Sequence, residues 1–405
     1  MENNLNTTKW YSLAGIWFGG IVSVPALLVG STLIASLSFN YSIWAGLIGF
    51  SFVILFMSLV SIAAVEKRKA TVSLAASSFG ENGAKLIVGL VIGLSTLGWF
   101  GIQSNIAGAS FSKILVEMNG PEIPIWLSSV FWGSIMVLTA VFGFKYLKLL
   151  NYIAVPAIIV LLVYGMVITF KTHSFEEVLN FTPKEKMPLL QAIGFTIGFI
   201  SVGGVISPDY NRFAATKKDA ILGSLLGIIP SALCLLAIGA ILAITQGTYD
   251  IVEIFSSLGF PFLAMSILIL ATWTSNVINI YSSGLAFNNL FNRGDENRSK
   301  TTLIVGAFGI LLAALGVLSH FMSFISLLTI TITPIAGVMI SDYFISKTYK
   351  EEAQKFNWKG IFSWMSGVVL MLSMSSEIKN IIGIISAAIV YYILQEITKE
   401  RHAEN

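Results

Sequence analysis

Residues 271–289 read ATWTSNVINIYSSGLAFNN, directly after the apolar run FPFLAMSILIL. The stretch carries Thr272, Thr274, Ser275, Asn276, Asn279, Tyr281, Ser282 and Ser283. Hydroxyls and amides bring neutral oxygens and hydrogen-bond donors, but no formal charge. Inside a bilayer each such group is costly unless something satisfies it. What satisfies them decides what the chain does.

A second pattern occurs twice. GIWFGGIVSVPALLVGSTL holds Gly19, Gly20, Ser23 and Pro25, and GFISVGGVISPDY holds Gly203, Gly204, Ser207 and Pro208. Glycine weakens a helix and proline removes one of its hydrogen bonds, so an unwound stretch with free carbonyls is expected in each. A plain kink is the alternative. Paired interruptions at corresponding places in two halves point to a secondary transporter built from inverted repeats.

The elements that position these groups follow from composition. Of 405 residues 55% are hydrophobic and only 11% charged, against roughly 25% charged in a soluble domain. Such a chain cannot cover a water-facing surface. Apolar stretches of about 20 residues fall near 12–36, 42–65, 86–112, 124–143, 149–170, 189–207, 220–244, 260–290, 302–318, 320–345, 360–376 and 378–396. They predict an all-α polytopic membrane protein of about twelve helices in one domain over 1–405. Two five-helix halves would cover 12–170 and 189–345, with two further helices over 360–396. With the N-terminus inside, nineteen of the 24 Lys and Arg fall in cytoplasmic segments, Lys145 among them. That bias predicts cytoplasmic termini in a cytoplasmic membrane, lipid as surroundings, and no nucleic-acid or obligatory protein partner. The start MENNLNTTKW lacks the charged region and cleavage site of a signal peptide.

The chain has one cysteine and three histidines, and no HExxH, CxxC, Walker-type loop or Ser/His/Asp grouping. An enzyme has no candidate machinery here. Cys234 lies in an apolar run, where buried packing is expected. No carboxylate falls clearly inside a span. Asp209 and Asp342 come nearest, and Asp209 with Arg212 reads as a helix-end pair. A proton relay normally uses an intramembrane acid or histidine, so the pattern favours a metal cation held by neutral oxygens.

Four motifs then carry a resemblance: GLSTLGWFGIQ (93–103), FISVGGVISPDYNRF (199–213), TWTSNVINIYSSGLAFNN (272–289) and ITPIAGVMISDYF (332–344). In order along the chain, they resemble cytosine permeases of the nucleobase–cation symporter-1 family. The resemblance implies a LeuT-like fold of five plus five helices with two extra, and import of nucleobases or related rings, often with sodium. It implies sodium ligands at the carbonyls of Gly19, Val22 and Ala271 and the hydroxyls of Thr274 and Ser275. Positions 271, 274 and 275 meet on one helical face, and hard cations prefer oxygen. Back-bonding of Ser and Thr to the helix is the competing role, and it suits Thr272, Ser282 and Ser283.

The resemblance also maps Trp99 and Phe199 as the aromatic faces that clamp a ring, with Ser201 nearby. Two amides of the family pattern are replaced, one by Thr96 and one by Ala271 in LATW. Gln103, one turn after Trp99, and Asn276 are candidate substitutes. Changed donors imply a changed ligand. The expected activity is sodium-coupled import of a nucleobase or related heterocycle. Proton-coupled import of hydroxymethylpyrimidine, a hydantoin, allantoin or another small solute stays open, as does a receptor or scaffold that binds without transporting.

Overall fold

A computed structural model describes residues 7–142, 147–257, 260–374 and 379–403. Lys145, residues 1–6, and positions 143 and 378 at the edges of two expected spans lie outside the described residues. The first apolar segment is a bent pair, α1 (Trp10–Ile21) and α2 (Val24–Ile34), meeting at 61°. There follow α3 (Phe39–Lys67), the short α4 (Thr71–Phe79), α5 (Glu81–Glu117), α6 (Ile125–Phe142) and α7 (Leu147–Thr172). Then come α8 (Leu189–Asn211), α9 (Lys217–Gln246), α10 (Pro261–Leu290), α11 (Arg298–Ala314), α12 (Val317–Ile345), α13 (Trp358–Ser373) and α14 (Lys379–Ala403).

Among the described residues, nine helices are long and apolar enough to cross a membrane, and the bent pair makes a tenth. That differs from the expected twelve. The two apolar helices left over, α11 and α13, have only 17 and 16 residues. Arg298 and Lys300 sit in the first turn of α11, and Gly316 (φ +74°) lies just beyond its end.

The helices pack as two bodies. α1, α2, α3, α8 and α9 contact one another, while α5, α6, α10 and α11 form a second group. α12 lies against α8 and α14, and α13 pairs with α14. Within the first body α2 and α9 meet through reciprocal glycines. A Cβ on Gly30 would sit 2.0 Å from the Leu236 carbonyl oxygen, and one on Gly239 2.2 Å from that of Leu27. Those atoms are backbone and cannot swing away. Gly30→Val is therefore expected to cost at least the 1–3 kcal/mol (roughly) of an overpacked core, read as a lower melting temperature of the purified protein.

Two expectations change. The helix α8 stays helical through Gly203 and Gly204, and a turn comes only at Ser207, before Pro208. The glycine serves close packing: a Cβ on Gly204 would lie 2.5 Å from the Phe56 ring. Ser207 Oγ donates to the Gly204 carbonyl at 2.9 Å, so that oxygen is not free. Cys234 is exposed rather than buried. The buried face of α9 runs through Ser231, Ala232, Leu235 and Leu236, whereas Leu226, Pro230 and Cys234 share the opposite stripe.

Candidate ion and substrate site

The bend between α1 and α2 falls at Val22 (ψ 83°) and Ser23 (φ −152°, ψ 161°), after the glycine pair rather than at it. The Val22 N–H still bonds the Phe18 carbonyl at 2.9 Å, and Ser23 Oγ donates to the Ile21 carbonyl at 3.2 Å. Among the described residues, no backbone N–H donates to the carbonyls of Gly19, Gly20 or Val22. A helix C-terminus with open carbonyls carries partial negative charge, an environment that favours a cation. α2, the continuation of this broken segment, packs against α10.

On α10 the polar residues divide into two groups. Thr272 bonds back to Leu268 and Ile269. Ser283 reaches across to the Gly93 carbonyl at 2.7 Å, and Asn276 donates to the Phe100 carbonyl at 3.0 Å and Ser104 Oγ at 2.9 Å. Ser283 and Asn276 thus join α10 to α5. Asn276 is fully buried, and its amide N–H groups are engaged between the two helices.

Thr274 and Ser275 also bond back to α10, and they converge on one carbonyl. Thr274 Oγ1 lies 3.0 Å and Ser275 Oγ 3.1 Å from the same Ala271 carbonyl oxygen, so three oxygens share one turn of α10. Both hydroxyls back-bond to that carbonyl, as Ser and Thr commonly do in helices. Ser275 Oγ also touches Gln103 Oε1 on α5.

Trp99 faces Phe199 edge-on, centroids 5.9 Å apart at 77°. A planar ring held between two parallel faces needs them about 7 Å apart, twice a van der Waals contact. In this conformation the expected clamp is therefore closed upon itself. Two aromatic rings missed from the sequence complete the cluster: Phe321 at 5.9 Å and Phe324 at 5.3 Å from Trp99, both edge-on. Their i, i+3 spacing in α12 puts them on one face, a signal SHFMSF did carry. The nearby hydroxyls of Thr96 and Ser201 bond back to their own helices, Thr96 to Ile92 and Ser201 to Gly198. Gln103, 3% exposed and one turn after Trp99 on α5, is the amide that meets the oxygen cluster, through Ser275.

Residues 1–394 match the family model described as permease for cytosine/purines, uracil, thiamine, allantoin. The chain belongs to that family. It is 26% identical to the cytosine permease of Escherichia coli (strain K12) over 359 residues, covering 85% of this chain and 83% of that one. To the hydantoin permease of Microbacterium maritypicum it is 26% identical over 383 residues, 88% of this chain and 77% of the relative. Its fold matches the inward-facing conformation of Mhp1 with a TM-score of 0.85 at 20% identity, covering 99% of this chain and 94% of that one. Mhp1, a nucleobase-cation-symport-1 family transporter, also matches in a closed conformation with bromovinylhydantoin bound, with a TM-score of 0.78 at 20% identity and coverage of 98% and 96%. The permease is thus a multi-pass membrane transporter with a LeuT-like helical fold, and not an enzyme.

The permease does hold a carboxylate within a span. Asp342, 1% exposed on the last turns of α12, accepts hydrogen bonds from Ser77 (2.7 Å), Ser78 (3.0 Å), Thr348 (2.7 Å) and Tyr391 (3.0 Å). Four hydroxyls replace the water that a buried carboxylate would lose. The cluster ties α4, α12, α14 and the connector after α12 together. Outside the spans, Lys69 and Lys67 bond Glu351 of that connector and hold its exposed carboxyl below the usual range. Asp209 is paired otherwise than expected. It accepts the backbone N–H of Thr71 at 2.8 Å, and the Arg212 guanidinium lies over the Phe213 ring.

Proposed function

We propose that the permease imports a nucleobase or nucleobase-like heterocycle, driven by sodium. One observation carries the reading: the oxygens of Ala271, Thr274 and Ser275 gather on one turn of α10, where Ser275 meets Gln103, one turn after Trp99 on α5. Neutral oxygens suit a monovalent hard cation, and aromatic faces suit a flat ring. The carbonyls of Gly19 and Val22, at the bend, would complete the ion's shell. Trp99 and Phe199 would bind the ring once they part, with Gln103, Ser201 and Thr96 near its edge. The relatives' names and the family description support a ring of cytosine, purine, hydantoin or allantoin chemistry, and the replaced amides weigh against cytosine itself. The transporter would work from the cytoplasmic membrane with both termini inside.

A thermal-shift panel tests this directly. A ring at one hundred times its Kd stabilises by about 2.7 kcal/mol, so one ring of the panel should raise the melting temperature, and more so in sodium than in choline. A panel without any shift would sink the reading.

The buried Asp342 favours one second reading, proton coupling. Under sodium coupling, Asp342→Asn should lower stability by roughly 1–3 kcal/mol through lost charge-assisted bonds, yet leave the sodium dependence of uptake intact. Uptake that loses its pH dependence in this variant, while never responding to sodium, would favour the proton.

A further inference from the structure

The connector from α12 to α13 reads SKTYKEEAQKFNWK over 346–359 and carries Lys347, Lys350, Lys355 and Lys359. Its backbone is pinned. The Lys350 N–H donates to Ser77 Oγ at 2.9 Å, and the Asn357 N–H to the Phe79 carbonyl at 2.8 Å. Glu81 and Asn82, at the start of α5, donate their N–H groups to the carbonyls of Gln354 and Lys355 at 2.9 Å each. The lysines are therefore displayed on a fixed path.

Positive charge is in excess along that path. Among the described residues, Lys347, Lys350 and Lys355 form no ion pair. Lys359 Nζ donates to the neutral Gln395 Oε1 at 2.8 Å, and Lys350 and Lys399 add like charge beside it. Glu351 is taken by Lys67 and Lys69, and Glu396 by Lys399, so exposed Glu352 is the connector's remaining carboxylate. Ser346, 5% exposed, accepts Lys399 at its carbonyl at 3.4 Å, yet among the described residues its own buried hydroxyl has no partner.

The same end of α13 begins an apolar stripe. Trp358, Phe362, Met365, Val369 and Leu372, spaced i, i+4, i+7, i+11 and i+14, are all exposed on one helical face. Phe356 stacks on Trp358, centroids 5.6 Å apart at 15°. Exposed rings beside lysines are what a membrane–water interface selects.

We propose that this corner binds an anionic phospholipid, its phosphate among Lys350, Lys359 and Lys399 and its chains along the α13 stripe. One amphiphile matches both features, whereas a free anion matches the lysines alone. Basic pockets between membrane helices hold acidic headgroups in this way. The site also reaches the interior. Lys359 donates to Gln395, Gln395 Nε2 to Tyr391 OH at 2.8 Å, and Tyr391 to Asp342 at 3.0 Å. A headgroup that compensates Lys359 thus steadies α13, α14 and the end of α12 that bears Asp342.

The test titrates the full-length purified permease with phosphatidylglycerol, with phosphatidylcholine of the same chains, and with inorganic phosphate. Phosphatidylglycerol should raise Tm, and the other two should not. Lys350→Gln with Lys359→Gln should raise the phosphatidylglycerol concentration at half-maximal shift about tenfold. Lys218, whose neighbour Lys217 pairs with Glu66 of α3, and Lys300 in the first turn of α11 are exposed at the same end of the bundle. Lys218→Gln with Lys300→Gln removes equal charge there and should leave the titration unchanged, which separates a site from diffuse attraction. Trp358→Ala should weaken the lipid by shortening the track of its chains. An unchanged titration in the Lys350/Lys359 variant, equal loss in both double variants, or an equal shift with phosphatidylcholine overturns the proposal. An equal shift with phosphate assigns the lysines to a free anion and overturns the lipid. If loss of the Lys359 bond to Gln395 abolishes the melting transition, Lys350→Gln alone decides, because that ammonium has no ion pair to lose. A wild-type titration in that variant overturns the site.

Discussion

Replacing Thr274 and Ser275 together by alanine is expected to raise the sodium needed for half-maximal uptake at least tenfold, about 1.4 kcal/mol in binding. These two hydroxyls are the side chains proposed to hold the ion, and both converge on the Ala271 carbonyl. Alanine suits a helix, so α10 should persist and the protein should still insert. The single variants separate the two roles. Thr274→Ala removes a proposed ion ligand alone, whereas Ser275→Ala also severs the contact with Gln103. Sodium titrations of uptake measure all three, and an unchanged titration in the double variant would remove this turn from the ion site.

Changing the ring's edge contacts should change which ring is accepted. Thr96→Gln and Ala271→Asn together restore the two amides that cytosine permeases carry, and should shift preference towards cytosine by roughly 1–3 kcal/mol. Trp99→Ala should weaken every ring by a similar factor, about 1–3 kcal/mol, because a flat face discriminates little. Competition of uptake by unlabelled cytosine, hydantoin and allantoin reads both effects. A wild type that already prefers cytosine, or a double variant that loses all rings equally, would show that the edge contacts lie elsewhere.

The sequence was legible where a local rule acts alone. Apolar length marked the spans, and Gly, Ser and Pro in the first segment marked the one bent pair. The same letters in α8 did not, because what settles Gly204 is the Phe56 ring, a residue nearly 150 positions away that no local pattern reveals. Cys234 was misjudged for a related reason: an apolar residue in a membrane is at ease facing lipid, so apolarity does not report burial. Asp342 lay beyond reach because its four hydroxyl partners come from α4, the connector and α14. Asn276 and Gln103 were both visible as amides. That Asn276 reaches the Phe100 carbonyl and Gln103 reaches Ser275 depends on how α5 meets α10.

Uptake into sealed proteoliposomes tests sodium coupling most directly. The purified permease is reconstituted at equal pH on both sides, with an inward sodium gradient or with choline in its place, and labelled ring is added outside. The account predicts accumulation above the outside concentration with the sodium gradient, and its collapse when an ionophore dissipates that gradient. Equal uptake in choline, accumulation driven only by an imposed proton gradient, or saturable binding without accumulation would contradict it.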